Sequence, residues 1–387
     1  KRRQYSAPPR LEVGAAGAED PAALDALWAP PPANRMAAEA AEAKDAEAGS
    51  ADEAITNSPR QVVRYPWDAP AWCPNGLTDI KQVGRGKFGV TYTARVVGTE
   101  SIVAFKVISC KDPSEFNAAM EESRRLKQLG GGDVVTLFDT RVVNVTLVPG
   151  GPRRFVIHYM EAAIGNLGEL AVANPDVPHQ VKLRLLGQIL RGLRKLEKVG
   201  CLHRDLKPEN VLIFGDPKDP KTWRAKLADF GLVFSMAPWD ESKGHITGSP
   251  HYIAPEVWLR LRPNLKSDVW SFGMLMYQLL FGHLPPPLKF YKAPGRMGSN
   301  INEHPFRKYI PHHFAIADDP LFNAFRWKDP ELARFLERLL AKQVCYRYSV
   351  PQAFNQVESI LRSRGIAIPA QPEVHPPDVR RPGAIMQ

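Results

Sequence analysis

His203-Arg204-Asp205-Leu206-Lys207-Pro208-Glu209-Asn210, with Asp229-Phe230-Gly231 further along the chain, decides how this sequence is read. The first run puts a carboxylate, an ammonium two residues on and a carboxamide five residues on in one loop. A carboxylate can orient a hydroxyl and accept its proton. An ammonium can neutralise a moving phosphoryl group. An amide oxygen suits magnesium, which prefers hard oxygen ligands. Asp229 offers a second such ligand at a hinge-like turn. Any one of these groups fits an ordinary surface loop; chance does not supply all of them in this order.

Upstream, Gly84-Arg85-Gly86-Lys87-Phe88-Gly89 is a G-x-G-x-x-G run. Leading from strand into helix it would suggest a dinucleotide fold. Here strand-like alternation lies on both sides, so the run reads as a hairpin turn. Glycines without Cβ let backbone amides approach a polyphosphate. By itself the run is an unremarkable loop. Val103-Ala104-Phe105-Lys106 follows on the next strand and supplies an ammonium for phosphate oxygens. A buried ammonium needs a partner, and Glu121 and Glu122 are the candidates.

The pattern around these motifs is that of two unlike halves. Val83, Val90, Tyr92, Ala94, Ile102 and Ala104 alternate with period two, the mark of strands. Ser114 to Leu129 turns helical, and strands return over Val134–Phe138, Val142–Leu147 and Arg154–Tyr159. After Gly165 the chain is mainly helical. Val181–Leu196 carries leucines and isoleucines at helical spacing. Asp268–Phe281 is apolar nearly all round, so it reads as a buried helix. Pro330–Leu340 and Pro351–Leu361 each start on a proline, as first helical turns allow.

Both ends differ from this body. Residues 1–75 contain 20 alanines, 10 prolines and few aromatics, and carry a charge of −3. They read as a largely disordered tail with a transient helix near Met36–Ala48. The remainder carries +13, which brings the whole chain to a net +10. That suits anionic ligands or acidic substrates, or simply a lysine-biased surface. No finger, RNP-like or basic-zipper pattern accompanies it, so nucleic acid is not expected as a partner. No apolar run reaches the 18 residues or so a membrane span needs. The four cysteines lack C-x-x-C spacing, which disfavours a zinc ribbon or a disulfide scaffold. A reducing, intracellular compartment fits best. The chain begins at Lys1, so a processed, secreted effector is the alternative.

Taken in chain order, these motifs resemble the eukaryotic protein kinase superfamily, serine/threonine type, from about Gly76 to Gly365. The Gly-rich loop, V-A-x-K, H-R-D-L-x-x-x-N, D-F-G and Ala254-Pro255-Glu256 all stand in the family's order. The resemblance implies an α+β, two-lobed fold. A small antiparallel β lobe with one regulatory helix (76–160) precedes a larger, mainly helical lobe (161–365), and residues 366–387 form a flexible Pro-rich tail. It implies ATP and Mg2+ as cofactors and a protein carrying a Ser or Thr acceptor as substrate; the oligomeric state stays open, with a monomer the favoured expectation.

Roles implied by the resemblance transfer position by position. Asp205 is the expected base and Lys207 stabilises the γ-phosphoryl group. Asn210 and Asp229 hold magnesium. Lys106 binds the α/β-phosphates and pairs with Glu122. Gly84, Gly86, Lys87, Phe88 and Gly89 cover the phosphates. The adenine sits among Val83, Thr91, Ala104 and Leu212. Ile157 is the expected gatekeeper, with the backbones of His158 and Met160 facing the base. Lys207-Pro-Glu-Asn210 and Gly248-Ser249-Pro250 resemble the serine/threonine branch, with Ser249 reaching Asp205. Arg347 resembles the internal partner of Glu256.

The sequence departs from the family pattern at several points. Thr91 replaces the usual valine. Phe214–Trp223 is a long insertion, expected to bulge at the back of the large lobe. Gly130-Gly131-Gly132 is expected to loosen the turn after the regulatory helix. His245 occupies the usual activation-loop phosphosite. Two readings stay open there: Thr247 or Ser242 takes the phosphate, or Asp240 and Glu241 supply fixed charge. His304, His312 and His313 lack the companions a metal site requires. Two rival functions are a pseudokinase or scaffold that regulates a partner kinase, and a small-molecule phosphotransferase. Against the first, no catalytic position is lost; against the second, Gly248–Glu256 resembles a peptide-binding segment.

Overall fold

The computed structural model describes residues 76–86, 89–145, 153–231, 234–235, 246–286, 304 and 306–377. The alternating segments form a five-stranded antiparallel sheet in the order β1-β2-β3-β5-β4. Its strands are β1 (Leu77–Gly86), β2 (Gly89–Val96), β3 (Ile102–Cys110), β4 (Leu137–Val145) and β5 (Arg153–Glu161). The separate strands expected on either side of residue 140 are one strand, β4. Because side chains alternate along a strand, the two faces of β3 and β5 sort by parity. Phe105, Val107, Ile157 and Tyr159 pack with Ala94 on one face. Ile108, Cys110 and Val156 pack on the other against Ala119 of α1 (Pro113–Leu129). Helix α1 starts where Asp112 accepts the Glu115 amide, with Pro113 in the first turn, the arrangement that satisfies orphan amides at a helix start.

The second half is helical around one large core. It runs through α2 (Leu167–Ala173), α3 (His179–Lys198), α4 (Pro255–Trp258) and α5 (Leu265–Phe281), then α6 (Phe306–His313), α7 (Pro320–Lys328), α8 (Pro330–Leu339) and α9 (Val350–Ser363). Helix α5 is apolar nearly all round because it lies inside: Val269, Trp270, Phe272, Leu275 and Tyr277 are fully buried. It is fixed at its start by an Asn264/Ser267 capping box and stopped at Gly282, whose φ is +74°. Between the halves lie short strands: β6 (Gly165–Asn166), β8 (Val211–Phe214) and β9 (Arg224–Leu227) in one sheet, β7 (Cys201–Leu202) and β10 (Phe234–Ser235) in another. No helix among the described residues is long and apolar enough to cross a membrane.

Two expectations are corrected. The segment after Gly365 is not a flexible tail over its described part: Ile366 and Ile368 pack on the large core. The glycine turn is pinned, not loosened. Gly130 N–H donates to the Leu126 carbonyl at 2.7 Å, and the Lys195 ammonium donates to the carbonyls of Gly130 and Gly131 at 3.0 and 2.9 Å. The Phe214–Trp223 insertion stands exposed over residues 215–219, as expected of a bulge, and is anchored at its end: Trp223 is buried, and Arg184 of α3 donates to the Lys221 and Trp223 carbonyls at 2.7 and 3.2 Å.

Candidate active site

Strand β3 aims Lys106 toward both α1 and the large lobe. Its ammonium lies 2.9 Å from a Glu122 carboxylate oxygen and 3.2 Å from one of Asp229. Glu122 is 4% exposed; burial pushes its carboxyl up, and the Lys106 ammonium opposes that shift. Glu121, the other candidate partner, instead bonds Arg124 and Arg125 on its own helix. Burial alone would lower the Lys106 ammonium, but the two carboxylates outweigh it and hold the group above its ordinary value. Burial likewise pushes the Asp229 carboxyl up, and Lys106 more than reverses this, leaving it below the usual carboxylate range. Asp229 therefore carries a full negative charge at neutral pH.

The loop after β7 carries the second cluster. The Asp205 carboxylate accepts from Asn210 Nδ2 at 3.0 Å and from both the amide and the hydroxyl of Ser249 at 2.8 Å each. Lys207 Nζ stands 3.7 Å away. Asn210 Nδ2 also donates to the Asp205 carbonyl at 2.7 Å, which fixes the loop's curl. Ala228 N–H donates to the Asn210 carbonyl at 2.9 Å. That bond lays the segment leading into Asp229 alongside the loop, so Lys106, Asp205, Asn210 and Asp229 meet at one place.

Asp268, inside α5, supports this loop from below. It accepts the amides of His203 at 2.7 Å and Arg204 at 2.9 Å. Arg204 has φ +67°, a conformation that costs a non-glycine residue about 1–3 kcal/mol. Two bonds to one buried carboxylate offset it. His203 Nε2 donates to the Ala228 carbonyl at 3.0 Å, and its ring packs 5.5 Å from that of Phe230. Asp229 also has positive φ, +59°, so both site strands turn on strained residues. The Asp268 role was not read from sequence; its signal was a lone carboxylate in an otherwise apolar helix.

The expected nucleotide pocket is placed as follows. Gly84 lies opposite Thr91, and Gly86 opposite Gly89. Lys87 and Phe88 lie outside the described residues. Val83 is 55% exposed on β1. Thr91 lies opposite Lys106, and Ala104 lies opposite Met160. Leu212 on β8 packs against the large core. Ile157 requires correction as gatekeeper. It pairs with Val107 and packs on the sheet face that looks away from Lys106. His158 pairs with Lys106 and shares its face, so the side chain beside the ammonium is the imidazole. His158 is buried, and burial followed by the Lys106 charge lowers its pKa to about 4.

Toward the activation segment, Arg204 bonds the Thr247 hydroxyl. Asp240, Glu241 and Ser242 lie outside the described residues. His304 does not stand with His312 and His313; it stacks on Trp258 at 5.5 Å. Farther down, Arg347 makes a bidentate pair with Glu256 at 2.7 and 2.9 Å, as the sequence led one to expect.

The protein kinase domain family matches residues 77–357. Serine/threonine-protein kinase atg1 of Dictyostelium discoideum is 30% identical over 208 residues, which are 52% of this chain and 30% of that protein. Serine/threonine-protein kinase PknK of Mycobacterium tuberculosis (strain ATCC 25618 / H37Rv) is 30% identical over 211 residues, 54% of this chain and 18% of that one. Human serine/threonine-protein kinase ULK3 is 30% identical over 225 residues, 56% and 44% respectively. The chain thus spans less than half the length of each of these relatives.

Proposed function

The chain belongs to the protein kinase family, and from that premise we propose that it transfers the γ-phosphoryl group of ATP to serine or threonine hydroxyls of a protein. The observation that carries this reading is the convergence of Lys106, Asp205, Asn210 and Asp229. The names of the similar proteins, all serine/threonine-protein kinases, support the choice of acceptor.

The donor set fits a hard divalent cation. Asp229 supplies an ionised carboxylate and Asn210 a carboxamide whose nitrogen is turned to Asp205. These are the oxygen ligands magnesium takes. Bound there, Mg2+ supplies charge neutralisation for the phosphate oxygens. The other steps belong to the chain itself. Lys106, held by Glu122, binds phosphate oxygens. Asp205 orients the acceptor hydroxyl and takes its proton, while Asn210 and Ser249 fix the carboxylate in one rotamer. Lys207 offsets charge on the transferred group. Little covalent chemistry falls to the protein, so catalysis here is placement and electrostatics.

Radiolabelled ATP with casein or myelin basic protein tests the reading. Incorporation into Ser or Thr that Asp205→Asn abolishes supports it. Wild-type chain that binds Mg-ATP but labels neither protein, or equal labelling by the variant, rejects it.

A further inference from the structure

The segment after α9 crosses α3 and reaches the junction between the lobes. Ile368 enters a seat on α3 that a side chain at Gly187 would fill: a Cβ there would lie 2.7 Å from Ile368 Cδ1. Arg191, one turn along, donates to the Pro369 carbonyl at 2.7 Å. The same guanidinium forms a two-point pair with Asp133, through Nε and through Nη2 at 2.9 Å. Gln371 Nε2 then donates to Asp133 Oδ1 at 2.9 Å and to the Ala225 carbonyl of β9 at 3.2 Å. One carboxamide thus ties the turn after α1 to the strand that leads into Asp229.

Asp133 and β9 are joined directly as well. Leu227 N–H donates to the Asp133 carbonyl, and Val135 N–H to the Leu227 carbonyl, each at 2.9 Å. Gly192 permits this approach, since a Cβ there would lie 2.9 Å from the Asp133 carbonyl oxygen. Leu227 is two residues before Asp229. Asp133 is the next residue after the glycine turn that ends α1, the helix carrying Glu122. Both carboxylates that meet Lys106 are therefore positioned through the spot Gln371 grips. Asp133 is only 6% exposed, and hydrogen bonds to buried charged groups are among the stronger ones.

We propose that residues 366–371 are a clamp within the chain, and that Gln371 is a positioning residue for phosphoryl transfer, acting through Asp133 and β9 on Glu122 and Asp229. The proposal rests on the kinase reading for its kinetic consequence and on the fold alone for its structural one. It predicts a sharp chemical preference at position 371. Gln371→Lys keeps a donor toward the Asp133 carboxylate and the Ala225 carbonyl. Gln371→Glu has no donor and places like charge beside Asp133.

The test uses the full chain with both substitutions, following peptide phosphorylation at saturating and limiting ATP, and amide hydrogen exchange. Gln371→Glu is expected to lower kcat roughly threefold to thirtyfold, the span that coupling through packed networks gives, with the peptide KM unchanged. Exchange should quicken over 126–135 and 225–229 and nowhere in α5 or α8. Gln371→Lys should stay within about twofold of wild type, the lower edge of that span. Equal kcat in both variants, or loss in both with lowered melting temperature and exchange raised throughout, overturns the clamp. If the wild-type chain transfers no phosphate, the kinase reading fails by itself, and unchanged exchange in Gln371→Glu would still overturn the clamp while local quickening would uphold it.

Discussion

Lys106 and Glu122 meet at 2.9 Å across the gap between β3 and α1, with only 13% and 4% of their side chains exposed. The pair makes the position of a helix a condition for placing an ammonium. It depends on charge: Glu122→Gln keeps the shape and removes the counter-ion. A hydrogen bond to a charged group is worth about 1.5–3 kcal/mol, so kcat/KM for ATP should fall on the order of tenfold to a hundredfold. Initial rates across an ATP series would show it. A variant as fast as wild type would mean that Lys106 needs no help from α1.

Gly192 offers a test in which two effects oppose each other. In a helix interior, Ala is favoured over Gly by about 1 kcal/mol. At this position the added Cβ would meet the Asp133 carbonyl and a Leu227 methyl, both at 2.9 Å. The carbonyl is backbone and already bonded to Leu227 N–H, so it cannot step aside cheaply. Gly192→Ala should therefore destabilise the protein by about 1–3 kcal/mol, the usual cost of overpacking. A raised melting temperature would show that propensity wins and that the contact is loose.

Much of this was legible beforehand, for a physical reason. Lys106, Asp205, Asn210 and Asp229 sit in runs where chemistry fixes both residue type and spacing, so the letters alone state the arrangement. Ile157 was misplaced because strand parity is a matter of register, and one residue's slip turns every side chain to the other face. An apolar isoleucine and a histidine are equally compatible with an alternating run, and only the pairing of His158 with Lys106 chooses between them. The Asp133, Arg191 and Gln371 junction was invisible for another reason. Its members lie far apart in sequence and follow no local period, and Pro-rich flanks made the last part read as tail. Gly187 and Gly192, two glycines inside one helix, were the overlooked sign of close contact.

The buried imidazole of His158 makes a pH prediction. Its folded pKa is about 4 against an ordinary 6.5. Between those values the unfolded chain binds a proton that the folded one does not, so stability falls as pH drops from 6.5 toward 4 and is fully present above 6.5. At 1.36 kcal/mol per unit the effect is at most about 3 kcal/mol. His179 and His251 are also lowered to about 4, so the wild type alone cannot isolate it. His158→Leu should lose this share of the slope. It should be no less stable than wild type at pH 7.5, because neither ring nitrogen makes a hydrogen bond of normal geometry. Melting temperatures of both proteins at pH 4.5, 5.5 and 7.5 decide the matter: a constant difference would rule the His158 contribution out.

Arg347 and Glu256 form the most deeply buried ion pair described, with side-chain exposures of 0% and 5%. The guanidinium also donates to the Lys266 carbonyl at 2.9 Å and the Ala341 carbonyl at 3.0 Å, while Ser267 Oγ donates to Glu256 at 2.7 Å. Every polar group is thus engaged, and α4, α5 and the stretch after α8 are joined at one point. Desolvating two charges costs nearly what their attraction returns, so the pair's net worth is small while the loss of one member is large. Arg347→Met strands the carboxylate and should cost about 3–5 kcal/mol. Arg347→Met with Glu256→Gln removes the stranded charge and should recover more than half of that loss. Lysine is no remedy, since it cannot make the two-point contact. Thermal melting of the single and double variants measures this directly. A double variant no more stable than Arg347→Met would show that the lost carbonyl bonds, rather than the orphaned Glu256, set the cost.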